Sequence, residues 1–71
     1  MLKLVRKPHI SNYVELWQDG NDWAHAPSDK VLTEVSTWVT DNELGRRTAH
    51  NGWQLRSAAA VTAFTLRWCP L

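Results

Sequence analysis

The stretch from Ser28 to Asp41 is the sequence feature that most constrains the fold. Its apolar residues recur at helical spacing and fall within an arc of roughly 120°; they are Val31, Leu32, Val35, Trp38 and Val39. Ser28 is suited to an N-cap, and Asp29 places a negative charge in the first turn. The pattern predicts an amphipathic helix over about residues 29–41.

A strand is the alternative for this stretch, because β-branched residues alternate from Val31 to Val39. The helix is favoured because a strand has no need of the capping signals. A helix extended beyond Asp41 would carry Gly45 on the apolar stripe, so we expect it to end near Asp41 with Gly45 in the exit turn. Thr40 and Glu43 have the capping-box spacing of a second, short helix.

The remainder of the chain is predicted to form short strands. Alternation and turn residues indicate strands over residues 2–7, 13–17, 22–25, 53–57 and 61–68, and residues 46–50 form either a further strand or a short helix. Asp19-Gly20 and Asn51-Gly52 supply turn signals, the second of which also suits the end of a short helix. Over residues 57–68 a helix is the alternative to a strand.

These elements predict a single α+β domain over residues 1–71. One helix would pack on a mainly antiparallel sheet of four or five short strands. We expect the apolar stripe of the helix to meet two strand faces, formed by Leu2 and Leu4 and by Phe64, Leu66 and Trp68. Five tryptophans supply core volume that a chain of 71 residues otherwise lacks, and self-association is a second route to stability.

Charge is strongly segregated along the chain. Residues 1–14 carry +3, residues 15–45 carry −6 and residues 46–71 carry +4, for a net charge of +1. The charges either pair within the fold or form two opposed faces. The sequence has no signal peptide and no segment of membrane-spanning length, and its one cysteine allows no internal disulfide, so a cytoplasmic location is expected.

The sequence gives little support for catalysis or for a cofactor. Zinc ligands normally occur in closely spaced pairs, whereas His9, His25, His50 and Cys69 are isolated. Cys69 lies beside Pro70 near the end of the chain, a poor position for a nucleophile held by a base. Phosphate-loop and dinucleotide fingerprints are absent from the sequence. We therefore expect a protein that is not an enzyme and that uses no metal or cofactor.

A protein-binding module is the leading functional hypothesis, because exposed tryptophans are effective binding anchors. The expected contact residues are Trp17, Asp19, Asp22, Trp23, Asp29, Glu34 and Asp41. Chain size suggests a phage or mobile-element accessory protein that inhibits a host complex, such as an anti-CRISPR protein or a polymerase inhibitor. The partner in that case is a nucleic-acid-binding host complex, whose phosphate groove the carboxylates would occupy.

The alternative is a small RNA- or DNA-binding protein. Basic residues from both ends of the chain would line one sheet face, where a base stacks on Trp53 or Trp68. The N-terminal residues of this set are Lys3, Arg6 and Lys7, and the C-terminal sheet contributes Arg46, Arg47, Trp53, Arg56 and Arg67. Against this alternative, the isoelectric point of about 8.0 is low for a dedicated nucleic-acid binder.

Overall fold

The computed structural model describes residues 2–20 and 24–70. In chain order the elements are β1 (Leu2–Arg6), β2 (Tyr13–Asp19), β3 (Ala24–His25), α1 (Asp29–Asp41), β4 (Gly45–Ala49), β5 (Gly52–Leu55) and α2 (Ala58–Trp68). The strands form an antiparallel sheet in the order β1–β2–β5–β4, and β3 pairs with the end of β2. The domain is therefore α+β.

Helix α1 has the predicted bounds. The Ser28 hydroxyl accepts a hydrogen bond from the Val31 amide, so the predicted N-cap is formed. At the other end, the amides of Glu43 and Leu44 donate to the carbonyls of Thr40 and Val39, which is the Schellman arrangement of a helix C-terminus. Glu43 takes the left-handed conformation there, with φ of 54°. The chain then enters β4 at Gly45, so no second short helix forms.

The strand predicted over residues 61–68 is wrong, because this segment belongs to helix α2. The Ser57 hydroxyl caps the helix by accepting from the Ala60 amide at 3.1 Å. Alternation had favoured a strand, but the hydroxyls of Thr62 and Thr65 donate to the carbonyls of Ala58 and Val61 within the helix. The domain therefore has two helices in the part that the structure describes, rather than one.

Both helices pack on the same face of the sheet. The fully buried side chains come from the inner face of β2 and β5 and from both helices; the largest are Trp53, Phe64, Leu16, Leu32, Val14, Val35 and Val39. The ring of Phe64 lies 5.6 Å from that of Trp53 and 6.3 Å from that of Trp38, measured between centroids. The core is thus one layer between the helices and one sheet face.

The expected contacts of the core are confirmed only in part. Leu4, Trp38 and Trp68 pack against the buried cluster. Leu66 does not, because it is 68% exposed on the outer side of α2. Strand alternation had placed Leu66 beside Phe64, whereas on a helix residues two apart point in different directions.

Candidate binding surface

The face of the sheet opposite the helices carries a mixed aromatic and basic surface, which we call the open face. Alternation defines its members, because Leu4, Val14, Leu16 and Trp53 point to the core and their neighbours point away. The open face contains Lys3, Val5, Tyr13, Glu15, Trp17, Arg46 and Gln54. Strand pairing sets Lys3 opposite Trp17 and Val5 opposite Glu15.

A hydrogen-bonded row of three side chains runs along β2 on the open face. The Tyr13 hydroxyl donates to Glu15 Oε2 at 2.8 Å, and Trp17 Nε1 donates to Glu15 Oε1 at 3.2 Å. Because Tyr13 is only 8% exposed and its hydroxyl faces a carboxylate, desolvation and then this contact raise the pKa of Tyr13 to about 12. Glu15 thereby fixes the orientation of both rings.

Gly52 provides the room for Tyr13. A Cβ atom at position 52 would lie 2.8 Å from Tyr13 Cζ and even closer to the phenolic oxygen. The residue is buried in β5, opposite Glu15. The bare backbone of Gly52 therefore lets the tyrosine ring lie flat across the middle of the sheet.

Beside this row lies an open cavity of about 330 Å³ between β1 and β2. It is lined by Lys3, Val5, Lys7, Glu15 and Trp17. The lining offers two ammonium groups, an indole and a valine, while the one carboxylate already accepts two ring donors. This combination suits the binding of an anionic group next to an apolar one.

The residues predicted to bind a protein do not form one surface. Trp17 is half-buried on the open face, whereas Asp29, Glu34 and Asp41 are exposed on α1, which covers the opposite face. Asp19 is exposed at the end of β2. The two remaining predicted residues, Asp22 and Trp23, lie outside the described residues. A flat partner that covers Trp17 therefore does not also cover the acidic side of α1.

The residues predicted to bind nucleic acid are also dispersed. Trp53 is fully buried, and its Nε1 donates to Ser36 Oγ at 3.3 Å, so a base cannot stack on it. Arg67 lies on α2 rather than on a strand, with its guanidinium 4.1 Å from the Trp68 ring centroid. The predicted placement of these two residues on an exposed sheet face was wrong, because the last predicted strand is a helix and because Trp53 faces inward.

The other three C-terminal arginines of that set have separate positions. Arg47 donates to the carbonyls of Ala49 and His50. Arg56 donates to the Glu43 carbonyl at 3.1 Å. Only Arg46 lies on the open face, since it pairs with Gln54.

Lys3 and Lys7 were assigned only to the nucleic-acid alternative and not to the protein-binding surface, and Val5 was assigned to neither. Their alternation with Leu2 and Leu4 was a usable signal, because it sets the three residues on one side of β1. The missing information was the pairing of β1 with β2, which brings Lys3 beside Trp17.

Neither described helix is long and apolar enough to cross a membrane. Among residues 2–20 and 24–70, no three histidine, cysteine or acidic side chains are grouped as metal ligands would be. No family model, curated protein or solved structure gives a significant match to this chain.

Proposed function

We propose that this protein is a non-enzymatic binding module that holds another protein against the open face of its sheet. The observation that carries the proposal is the position of Trp17. Its ring is half-buried in a cavity on the face that the helices leave uncovered. Tryptophan is enriched among the residues that dominate binding energy, especially where surrounding groups exclude water.

The surroundings of Trp17 support an anchor that is already in position. Its Nε1 is held by Glu15, so little side-chain freedom is lost when a partner covers the ring. Lys3 and Lys7 border the same cavity and favour a partner surface of negative charge. The finer proposal is that this partner belongs to a host complex that a phage or mobile-element protein inhibits.

Affinity capture from the source cell tests the proposal. The tag is placed at the C-terminal end, so that the N-terminal strand β1 carries no fusion, and the baits are wild type, Trp17→Ala and Leu66→Ala. Leu66 is the matched control, because it is a large, exposed apolar residue on α2. We expect a partner that wild type and Leu66→Ala retain and that Trp17→Ala loses at least about tenfold, which corresponds to about 1.4 kcal/mol.

Two results would contradict the proposal. If Trp17→Ala unfolds the chain, the ring belongs to the core and is not an anchor. Equal capture by a folded Trp17→Ala variant would remove the open face as the contact surface. The identity of the captured protein tests whether a host complex is the target.

Binding of single-stranded nucleic acid is a second candidate for the same face. The observation that favours it is that Arg46 lies on the open face with Trp17, in a row that runs through Gln54 to Tyr13. Cations and aromatic rings on one face of a sheet are typical of single-strand binding. Titration with random oligonucleotides at about 50 mM salt tests it, with Arg46→Ser as the variant and Arg56→Ser as the control. Undetectable binding at that salt concentration would remove this candidate.

A further inference from the structure

The two edges of the sheet differ in regularity. Strand β1 forms one edge and pairs with β2 without interruption from Leu2 to Arg6. Strand β4 forms the other edge, and its register is shifted between Arg47 and Ala49. A bulge twists an edge away from a further strand, whereas a regular edge presents evenly spaced amide and carbonyl groups. Of the two edges, β1 is therefore the better template for an added strand.

The charges on β1 select what can pair with it. Lys3 and Arg6 lie on the strand and Lys7 follows it directly, and residues 2–8 contain no acid. If β1 paired with β1 or β4 of a second copy, lysine and arginine residues of one copy would lie opposite those of the other, since β4 carries Arg46 and Arg47. Like charges directly opposite each other destabilise a strand pair, and opposite charges stabilise it. The charges on β1 therefore disfavour pairing with a second copy of the chain and favour pairing with an acidic strand.

We propose that an extended acidic segment of a partner protein adds to the sheet along β1 and inserts alternate side chains into the cavity beside Trp17. This inference rests on the proposed function and specifies the partner's chemistry. Backbone hydrogen bonds to the edge supply affinity, and the side chains that enter the cavity supply specificity.

The register of β1 defines the pattern of the added strand. On the open face, acidic residues face Lys3 and Lys7, and an apolar residue between them faces Val5 and points into the cavity that Val5 and Trp17 line. On the other face, an apolar residue covers Leu4, which is half-buried at the margin of the core. The partner segment therefore mixes acidic and apolar residues and contains no lysine or arginine at the positions next to β1.

Titration with a capped peptide that contains Glu-Val-Val-Val-Glu tests the inference on the intact protein, because in either strand direction its glutamates face Lys3 and Lys7 and its valines face Leu4 and Val5. Amide chemical shifts are followed by NMR, and we expect the largest changes at residues 2–7 and at Trp17 Nε1. The same peptide with Lys in place of Glu is expected to bind at least about tenfold more weakly, because its charges oppose those of β1.

N-methylation separates strand addition from side-chain docking. An added strand directs every second amide toward β1 and the others away from it. N-methyl groups on the amides that face β1 are therefore expected to abolish binding, and N-methyl groups on the other amides are expected to leave it intact. This comparison needs no change to the protein. If both methylated peptides bind as well as the parent, the segment does not add as a strand and the inference fails.

Charge exchange tests the assignment of Lys3 and Lys7. The variant Lys3→Glu with Lys7→Glu is expected to lose at least about tenfold in affinity for the Glu peptide and to gain affinity for the Lys peptide. Lys30→Glu with Arg67→Glu is the matched control, because it changes the same charge on the two helices and is expected to leave both affinities unchanged. An equal loss in this control would mean that net charge, rather than β1, selects the peptide.

Other occupants of the edge would give different results. Shift changes on α1 or β4, or no binding at about 1 mM peptide, would overturn the inference. If the protein alone forms a dimer that buries β1, the occupant of this edge is a second copy and not an acidic segment. If an oligonucleotide binds saturably and the peptide does not bind, the occupant is nucleic acid. If affinity capture still depends on Trp17 but the peptide does not bind, the proposed function stands and only the strand addition is wrong.

Discussion

The indole nitrogen of Trp53 donates a hydrogen bond to the Ser36 hydroxyl at 3.3 Å, which joins the centre of the sheet to the middle of α1. Trp53 is fully buried, so its N–H has no access to solvent. A buried donor that loses its partner destabilises a fold by about 1–3 kcal/mol. This contact therefore couples the packing of α1 to β5.

The variant Ser36→Ala is expected to lower the free energy of unfolding by about 1 kcal/mol, because the Trp53 N–H is left without an acceptor. Urea denaturation measures the change. Thr37→Ala is the control, since Thr37 is exposed on the same helix and its replacement is expected to change stability by less than about 0.5 kcal/mol. Equal effects of the two variants would mean that the Trp53 contact contributes no stability.

Tyr13 is expected to titrate at a pH of about 12, above its ordinary pKa of 10.0. It is the only tyrosine in the chain, so the ultraviolet absorbance of tyrosinate reports it directly. Since the pKa is raised in the folded state, the associated stability is fully present below pH 10 and is lost as the pH rises toward 12. The protein is therefore expected to be less stable at pH 12 than at pH 10.

The variant Glu15→Gln tests the cause of this shift. It removes the carboxylate charge but keeps the burial of Tyr13, and burial is the largest cause of the raised pKa. The pKa of Tyr13 is therefore expected to fall without returning to 10.0. A pKa near 10 in the unaltered protein would contradict the burial of Tyr13 as well as its contact with Glu15.

Glu43→Gly is expected to stabilise the protein by about 0.5–1 kcal/mol. Glu43 has a φ of 54°, a conformation that glycine adopts without steric cost, and its side chain is exposed. Its carbonyl, which accepts from Arg56, is retained in the variant. Thermal unfolding measures the effect, and Thr40→Gly in the last turn of α1 is the control, because glycine inside a helix is destabilising. A lower melting temperature for Glu43→Gly would show that the left-handed turn is absent.

Glu34→Lys combined with Asp41→Lys is expected to leave the melting temperature nearly unchanged, because both carboxylates are exposed on α1. Partner capture is also expected to be unchanged, since these residues and Trp17 lie on opposite sides of the sheet. Lys3→Ser with Lys7→Ser, on the open face, is expected to weaken capture. If the α1 variant alone loses the partner, the acidic side of α1 is the binding surface and the open face is not.

Helix α1 was predictable because three local signals agree, namely the Ser28 cap, the apolar stripe and the terminal turn. Helix α2 was predicted only as the alternative to a strand over residues 57–68, because its signals conflict. β-branched residues at Val61, Thr62 and Thr65 favour a strand, while Ser57 favours a cap, and only packing of Phe64 on Trp53 decides between them.

The site was predictable to a smaller extent. The alternation in β2 correctly separated Trp17 from the core residues Val14 and Leu16. Local sequence does not specify which strand lies beside β2. The proximity of Lys3 to Trp17 results from the pairing of β1 with β2 and could not be predicted from either segment alone. For the same reason the exposure of Trp53 was misjudged, since the inward face of β5 is set by its partner β2.

Gly52 and Tyr13 occupy adjoining space, so the two positions are not free to vary independently. Any side chain at position 52 would collide with the tyrosine ring, and a smaller residue at position 13 would relieve the collision. Single replacements at position 52 should therefore be rejected in a selection for folding, while paired replacements that shorten residue 13 should be recovered. Among natural sequences that share this fold, an aromatic residue at position 13 should occur with glycine at position 52 and with no other residue there.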